Sequence, residues 1–216
     1  MKIFALDDAA KIRTFIFDID GTLYTSKKYV REQVDVQIRH FAKIRGMTEN
    51  EAQEKIENFR DEWSRTHGGK KISLGNAFTF FGVDIETSIR WRNELLQPEK
   101  FLTEDLRLKN SLERLKKKFN LICVTNNPVE AARKTLAAVG IEKIIPEIIG
   151  LDTFKKSKPS REMILAAMEK TASRNFECVA VGDRFDIDLA LPIEMGMAGI
   201  LVDGAEDVCR LTEIFL

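Results

Sequence analysis

Three cysteines in 216 residues, Cys123, Cys178 and Cys209, are widely spaced and odd in number, which argues against a disulfide framework or a zinc site. A reduced, cytoplasmic protein is the expectation, with Cys123 inside "LICVTN" as a small core residue. Charge of one sign is not in excess either. Thirty-four basic residues balance 34 acidic ones, which argues against a general nucleic-acid-binding surface and a charged disordered tail. No apolar run approaches the roughly 20 residues of a membrane span, so no membrane partner is expected. The opening "MKIFALDDAAK" has a short apolar stretch, but acids follow it and no small-residue cleavage site appears, so no secretory leader is expected. Repeats and low-complexity segments are missing too. What remains suits one ordinary domain, or a core domain carrying a smaller insertion.

Strands are missing from residues 27 to about 100. Tyr29, Val30, Val34, Ile38, Phe41 and Ile44 recur at helical spacing, and Gly46 closes that helix. A second helix starts near Thr48, where Glu51 completes a capping-box pattern, and carries Ile56, Phe59 and Trp63 on one stripe. "HGGKKISLGNAFTFFG" mixes glycine punctuation with a short aromatic helix, and another helix runs from about Asp84 to Leu96. From Thr103 the pattern becomes regular alternation. Thr103, Glu104 and Asp105 start a helix through Lys118; "LICVT" is a strand; Asn127 caps a helix that has Pro128 in its first turn and ends at Gly140. "EIIGL" is a weaker strand, followed by a helix from about Ser160 to Thr171. "ECVAVGD" is a buried strand, "IDLALPIEMG" a helix kinked or shortened by Pro192, and "AGILVD" the last strand before a terminal helix. With "RTFIF" at residues 13 to 17 as the first strand, this is an α/β chain: a mainly parallel, Rossmann-like sheet with helices on both faces and an inserted all-helical segment.

Ligands of an open parallel sheet bind beyond the carboxyl ends of its strands. The residues there form a coherent set: Asp18 and Asp20 in "DIDGT"; Thr125 and Asn126; Lys158; and Asp183, Asp186 and Asp188 in "VGDRFDID". Asp18 and Asp20 repel each other and lose hydration unless a cation or a shared proton offsets the cost. Gly21 and Thr22 suit a tight turn leaving the strand. Carboxylates from two strand ends make a hard, oxygen-rich pocket suited to magnesium, while a hydroxyl, an amide and a lysine suit a phosphate group. A carboxylate placed in line with phosphorus can form an acyl phosphate and divide one difficult displacement into two.

In this order the motifs resemble those of the haloacid dehalogenase superfamily, whose members are mostly phosphatases. "DIDGT" matches the first motif, Thr125 in "VTN" the second, Lys158 in "KP" the third and "GDRFDID" the fourth. The resemblance implies a catalytic core of residues 1–26 and 101–216 and a helical cap of 27–100. It implies Asp18 as nucleophile and Asp20 as acid/base. Mg2+ would be held by Asp18, the backbone carbonyl of Asp20 and Asp183, with Asp188 helping through water. Thr125, Asn126 and Lys158 would bind the phosphate, and Asp186 lies outside the pattern. The expected substrate is a small phosphate ester, and the expected state a monomer or small homo-oligomer. Tyr24, Arg65, His67, Lys70, Lys71 and Arg92 could face the site from the inserted segment, His67 fitting a plain surface residue better. The rival readings are a dehalogenase, which has no alcohol leaving group for Asp20 to protonate, a phosphomutase, and a non-catalytic phosphate- or metal-binding module.

Overall fold

The computed structural model describes all residues from Met1 to Leu216. The chain divides into two compact units, one made of Met1–Lys27 and Gln97–Leu216 and the other of Lys28–Leu96.

The contiguous unit is helical: α1 (Lys27–Arg45), α2 (Glu49–Thr66), α3 (Leu74–Phe80) and α4 (Ile85–Leu95). Each start after the first has the polar cap its sequence calls for. Thr48 accepts from Glu51 N while Glu51 reaches back to Thr48 N, and Ser73 and Asp84 cap α3 and α4. Gly46 ends α1 at φ +65°. The apolar stripes of the four helices meet in a core of Ile38, Phe41, Ala42, Ala52, Ile56, Leu74, Phe78, Val83 and Trp91. Arg65, His67, Lys70 and Lys71 are exposed, whereas Arg92 is buried and donates from Nε to Gln37 Oε1 at 3.2 Å. Arg92 therefore helps to hold this bundle together. Pro98 opens a short 3-10 turn that belongs to the other unit, so the helical unit stops a few residues before position 100.

The discontinuous unit is built on six strands: β1 (Lys2–Phe4), β2 (Thr14–Phe17), β3 (Asn120–Val124), β4 (Glu147–Ile149), β5 (Cys178–Gly182) and β6 (Ala198–Leu201). Their order across the sheet is β1-β6-β5-β2-β3-β4, parallel throughout except for β1 against β6. Around it lie α5 (Leu106–Lys116), α6 (Val129–Ala138), α7 (Leu151–Phe154), α8 (Arg161–Lys170), α9 (Ala190–Glu194), α10 (Ala205–Cys209) and α11 (Leu211–Phe215). Alternation along β2 sends its side chains to opposite faces. Ile16 joins Ile122, Val124 and Ile149 against Met163, Ile164 and Ala167 of α8. Phe15 turns the other way, edge-on to Phe119 and to Phe215 of α11.

At four places the structure adds to or corrects the sequence reading. The apolar start of the chain is an edge strand, too short to show an alternating pattern. The helix expected from Thr103 to Lys118 starts later, at Leu106, because Asp105 is the residue whose side chain accepts from Leu108 N. The helix expected to be kinked or shortened by Pro192 is short, with a wide π-turn, Phe185–Leu189, running into five-residue α9; Ala190 N donates to Phe185 O, five residues back. Proline lacks the N–H that a regular turn would use there. The terminal helix is two short ones, α10 and α11, meeting at Arg210.

Candidate active site

Phe17, the last residue of β2, is paired with Cys123 on β3 and with Val181 on β5. The residues that follow on these three strands therefore share one edge: Asp18, then Val124 with Thr125, then Gly182 with Asp183. Asp18 N still donates to Val181 O at 2.8 Å, so backbone pairing fixes the residue whose side chain leaves the sheet. Two glycines make room for the acids. Gly21 has φ +83°, and a Cβ there would come within 2.5 Å of Asp183 Oδ2; a Cβ on Gly182 would lie 2.4 Å from that of Asp188.

Lys158 joins the acids. Its side chain and those of Asp18 and Asp188 are all at most 5% exposed. Nζ donates to Asp18 Oδ1, to Asp188 Oδ1 at 2.7 Å and to Val124 O at 2.9 Å, which uses all three of its protons. The loop holding Lys158 is tied to β3, since Asn126 Oδ1 accepts from Lys158 N at 2.6 Å. Burial pushes the Asp18 carboxyl up to about 7, against the pull of Lys158 and with a further push from Asp188. Burial works to lower Lys158, but Asp18 and Asp188 together raise it above the ordinary lysine value.

Oxygens of Asp18, Asp183 and Asp188 all lie within 4.8 Å of one another. Asp18 Oδ2 and Asp183 Oδ1 are buried and lack a hydrogen-bond partner. A buried carboxylate oxygen without a partner, such as Asp18 Oδ2, is costly unless something binds it, and an all-oxygen donor set suits a hard divalent cation such as Mg2+. The residues therefore fit the ion. Arg184 was not foreseen. Its backbone N donates to Asp188 Oδ2 at 3.0 Å and its Nε lies 3.4 Å from Asp183 Oδ1 and 3.6 Å from Asp188 Oδ2. Its position between two motif acids in "GDRFDID" was the available signal. The exposed Asp186, two residues beyond, stands outside the cluster.

Asp20 is held separately. Tyr24 Oη donates to its Oδ1 at 2.5 Å and Asn127 Nδ2 to its Oδ2 at 2.8 Å. Tyr24 thus belongs to the core unit and not to the insertion. Asn127 does not cap α6 either: Pro128 occupies that position, and Asp152 Oδ1 accepts from Val129 N at 2.9 Å. Thr125 is fully buried and its hydroxyl accepts from Asn127 N at 3.1 Å.

The raised Asp18 value gives a signed pH dependence. Below about pH 4 the carboxyl is protonated whether the chain is folded or not. As pH rises, the unfolded chain ionises first and the metal-free native state loses stability until about pH 7. Between the ordinary 3.8 and about 7, the stability of Asp18→Asn relative to wild type should grow by about 4 kcal/mol and then level off. Urea unfolding in EDTA across that range measures the difference; a flat difference would mean that Asp18 ionises freely in the fold.

Residues 12–196 match the family described as haloacid dehalogenase-like hydrolase. The chain belongs to that family. Pyrophosphatase PpaX of Listeria monocytogenes serotype 4a (strain HCC23) is 22% identical over 214 residues, which span 95% of this chain and 92% of that protein. The HAD-hydrolase YfnB of Bacillus subtilis, solved bound to magnesium, is 16% identical with a TM-score of 0.62, covering 94% of this chain and 98% of that one. A 2-haloacid dehalogenase from Pseudomonas syringae pv. Tomato DC3000 is 15% identical with a TM-score of 0.59, over 94% and 97% of the two chains. The protein is therefore a hydrolase of this family with a Rossmann-like α/β fold. Because phosphoryl and halide chemistry both occur on the fold, the choice between them falls to individual residues.

Proposed function

We propose that the protein is a magnesium-dependent phosphatase that hydrolyses a small phosphate monoester through an aspartyl phosphate on Asp18. The observation that carries this reading is the division of labour between the two Asp18 oxygens. Lys158 holds Oδ1, while Oδ2 is buried without a hydrogen-bond partner. The fixed ammonium orients the nucleophile, and its charge, with the Thr125 hydroxyl, would help neutralise a transferring phosphoryl group. Asp18, Asp183, Asp188 and the carbonyl of Asp20 would hold Mg2+, which when bound supplies charge neutralisation on the phosphate oxygens.

Asp20 gives the leaving oxygen its proton and later takes one from the attacking water. A halide leaving group needs no such proton, so the dehalogenase reading gives Asp20 nothing to do. Pyrophosphatase activity of PpaX belongs to that relative, but its phosphoanhydride substrate is chemically close to the one proposed.

The test is turnover of an aryl phosphate with magnesium and with excess EDTA. Activity should fall to background in chelator and return when magnesium is restored. Unchanged turnover in EDTA, with metal analysis excluding carry-over, would sink the metal-dependent reading.

A further inference from the structure

Asp20 opens a turn, Gly21–Leu23, that folds back on itself. Thr22 N and Leu23 N both donate to Ile19 O, at 3.2 and 2.9 Å, and the chain then forms a bridge between Asp20 and Tyr24. That closure brings the buried Tyr24 hydroxyl to one oxygen of Asp20, and Asn127, buried on the loop after β3, brings its amide to the other. Asn127 turns Nδ2 to Asp20 Oδ2, an oxygen that accepts both in the carboxylate and as the carbonyl oxygen of the acid. Asn127 is itself pinned: its N donates to Thr125 Oγ1 and its carbonyl accepts from Leu151 N at 3.0 Å. Two donors from separate loops fix the plane of a short side chain that could otherwise turn about both of its torsions.

We infer that Tyr24 and Asn127 are positioning residues that clamp Asp20 where the leaving oxygen, and then the attacking water, arrives. The inference rests on the phosphatase reading above. In the first half-reaction Asp18 bonds to phosphorus, the bond from phosphorus to the ester oxygen breaks, and the Asp20 proton goes to that oxygen. In the second, a water oxygen bonds to phosphorus, the acyl phosphate breaks to restore the Asp18 carboxylate, and the proton of water goes to Asp20. The two donors are suited to different parts of this cycle. The Asn127 amide can only donate from Nδ2 and acts as the fixed anchor; the Tyr24 hydroxyl can donate to the carboxylate or accept from the carboxylic acid.

A clamp on the acid has a signature that a structural contact lacks. Phenyl phosphate leaves as a phenoxide whose conjugate acid has a pKa of about 10, and so needs the proton, whereas 2,4-dinitrophenyl phosphate leaves readily without one. Tyr24→Phe and Asn127→Ala, in full-length protein with magnesium, should lose about tenfold or more in kcat/KM on phenyl phosphate and stay within about twofold on the dinitrophenyl ester, because kcat/KM reports the transfer to Asp18. Asp20→Asn should show the same selectivity more strongly. Should Asn127→Ala unfold, Tyr24→Phe removes a single oxygen and decides alone. Equal losses on both esters in folded variants would overturn the clamp and leave the phosphatase reading standing. A wild type that turns over both esters while Asp20→Asn shows no leaving-group selectivity would overturn the acid role, and the clamp with it. No turnover of either ester by wild type would overturn the phosphatase reading first.

Discussion

Asp18→Asn should lose at least about 10⁴-fold in kcat and form no trappable covalent species, because the amide removes the nucleophile while leaving the fold intact. Trapping makes the outcome specific. Borohydride reduces an acyl phosphate, so quenching wild type during turnover of a good phosphate ester should convert Asp18 to homoserine, which peptide mass analysis reads directly. Isotope labelling then separates the phosphatase from the dehalogenase. If water attacks phosphorus, Asp18 keeps its own oxygens in heavy-oxygen water. If Asp18 instead forms an alkyl ester and water attacks its carboxyl carbon, the label enters Asp18. Homoserine at Asp18 without label is expected. Label in Asp18 during halide release would favour the dehalogenase, and trapping at another residue would displace Asp18 from its role.

Lys158→Met should be costly twice over. The ammonium lies between Asp18 and Asp188, all three side chains almost fully buried, and its removal leaves two carboxylates facing each other in a dry site. Breaking a buried ion pair from one side costs about 3–5 kcal/mol. Unfolding in EDTA should show a loss of that order, and magnesium should recover more stability in the variant than in wild type, since the ion then carries the neutralisation alone. Catalysis suffers separately: kcat/KM should fall at least ~10²-fold even with saturating magnesium, a loss of about 2.7 kcal/mol of transition-state stabilisation. Calorimetry and kinetics on the same preparation distinguish the two costs. Wild-type stability and kinetics together would return Lys158 to an ordinary loop lysine.

That pairing shows what a linear reading can and cannot reach. The acids were legible because a polar residue directly after a buried apolar strand is out of place unless something uses it. Lys158 was legible only through its place in the motif order. In "KKSK" its chemistry equals that of Lys155 and Lys156, and only the fold buries it while exposing them. Asn127 was misassigned for a related reason. An asparagine before a proline at a helix start has the right local form for a cap, and the competing partners, Asp152 for the helix and Asp20 for the amide, come from distant parts of the chain. Arg184 escaped because the motif names its acids and passes over the residue between them. The helix caps, by contrast, are short-range devices: Thr48 with Glu51 and Asp84 with Thr87 are complete within three residues of sequence, and the structure shows both.

The interruption of the sheet unit by Lys28–Leu96 bears on the order in which the chain can assemble. Thr14 of β2 has its partners at Asn120 and Cys178, so the central strand is made early and its second neighbour about 160 residues later. At ribosomal speeds of about 5–20 residues per second, that is a wait of roughly 8–30 s. For about the first two thirds of that wait, until β3 is made, Phe15, Ile16 and Phe17 have no strand to pair with, and after it β2 has one neighbour of its two. The helical unit has no such delay, because its contacts are confined to one continuous stretch and local contacts form fastest. Synthesis therefore favours a folded insertion beside an unpaired apolar strand. The exposure is longest before β3 is complete at Val124, and it ends when β5, at Cys178–Gly182, closes the other side of β2.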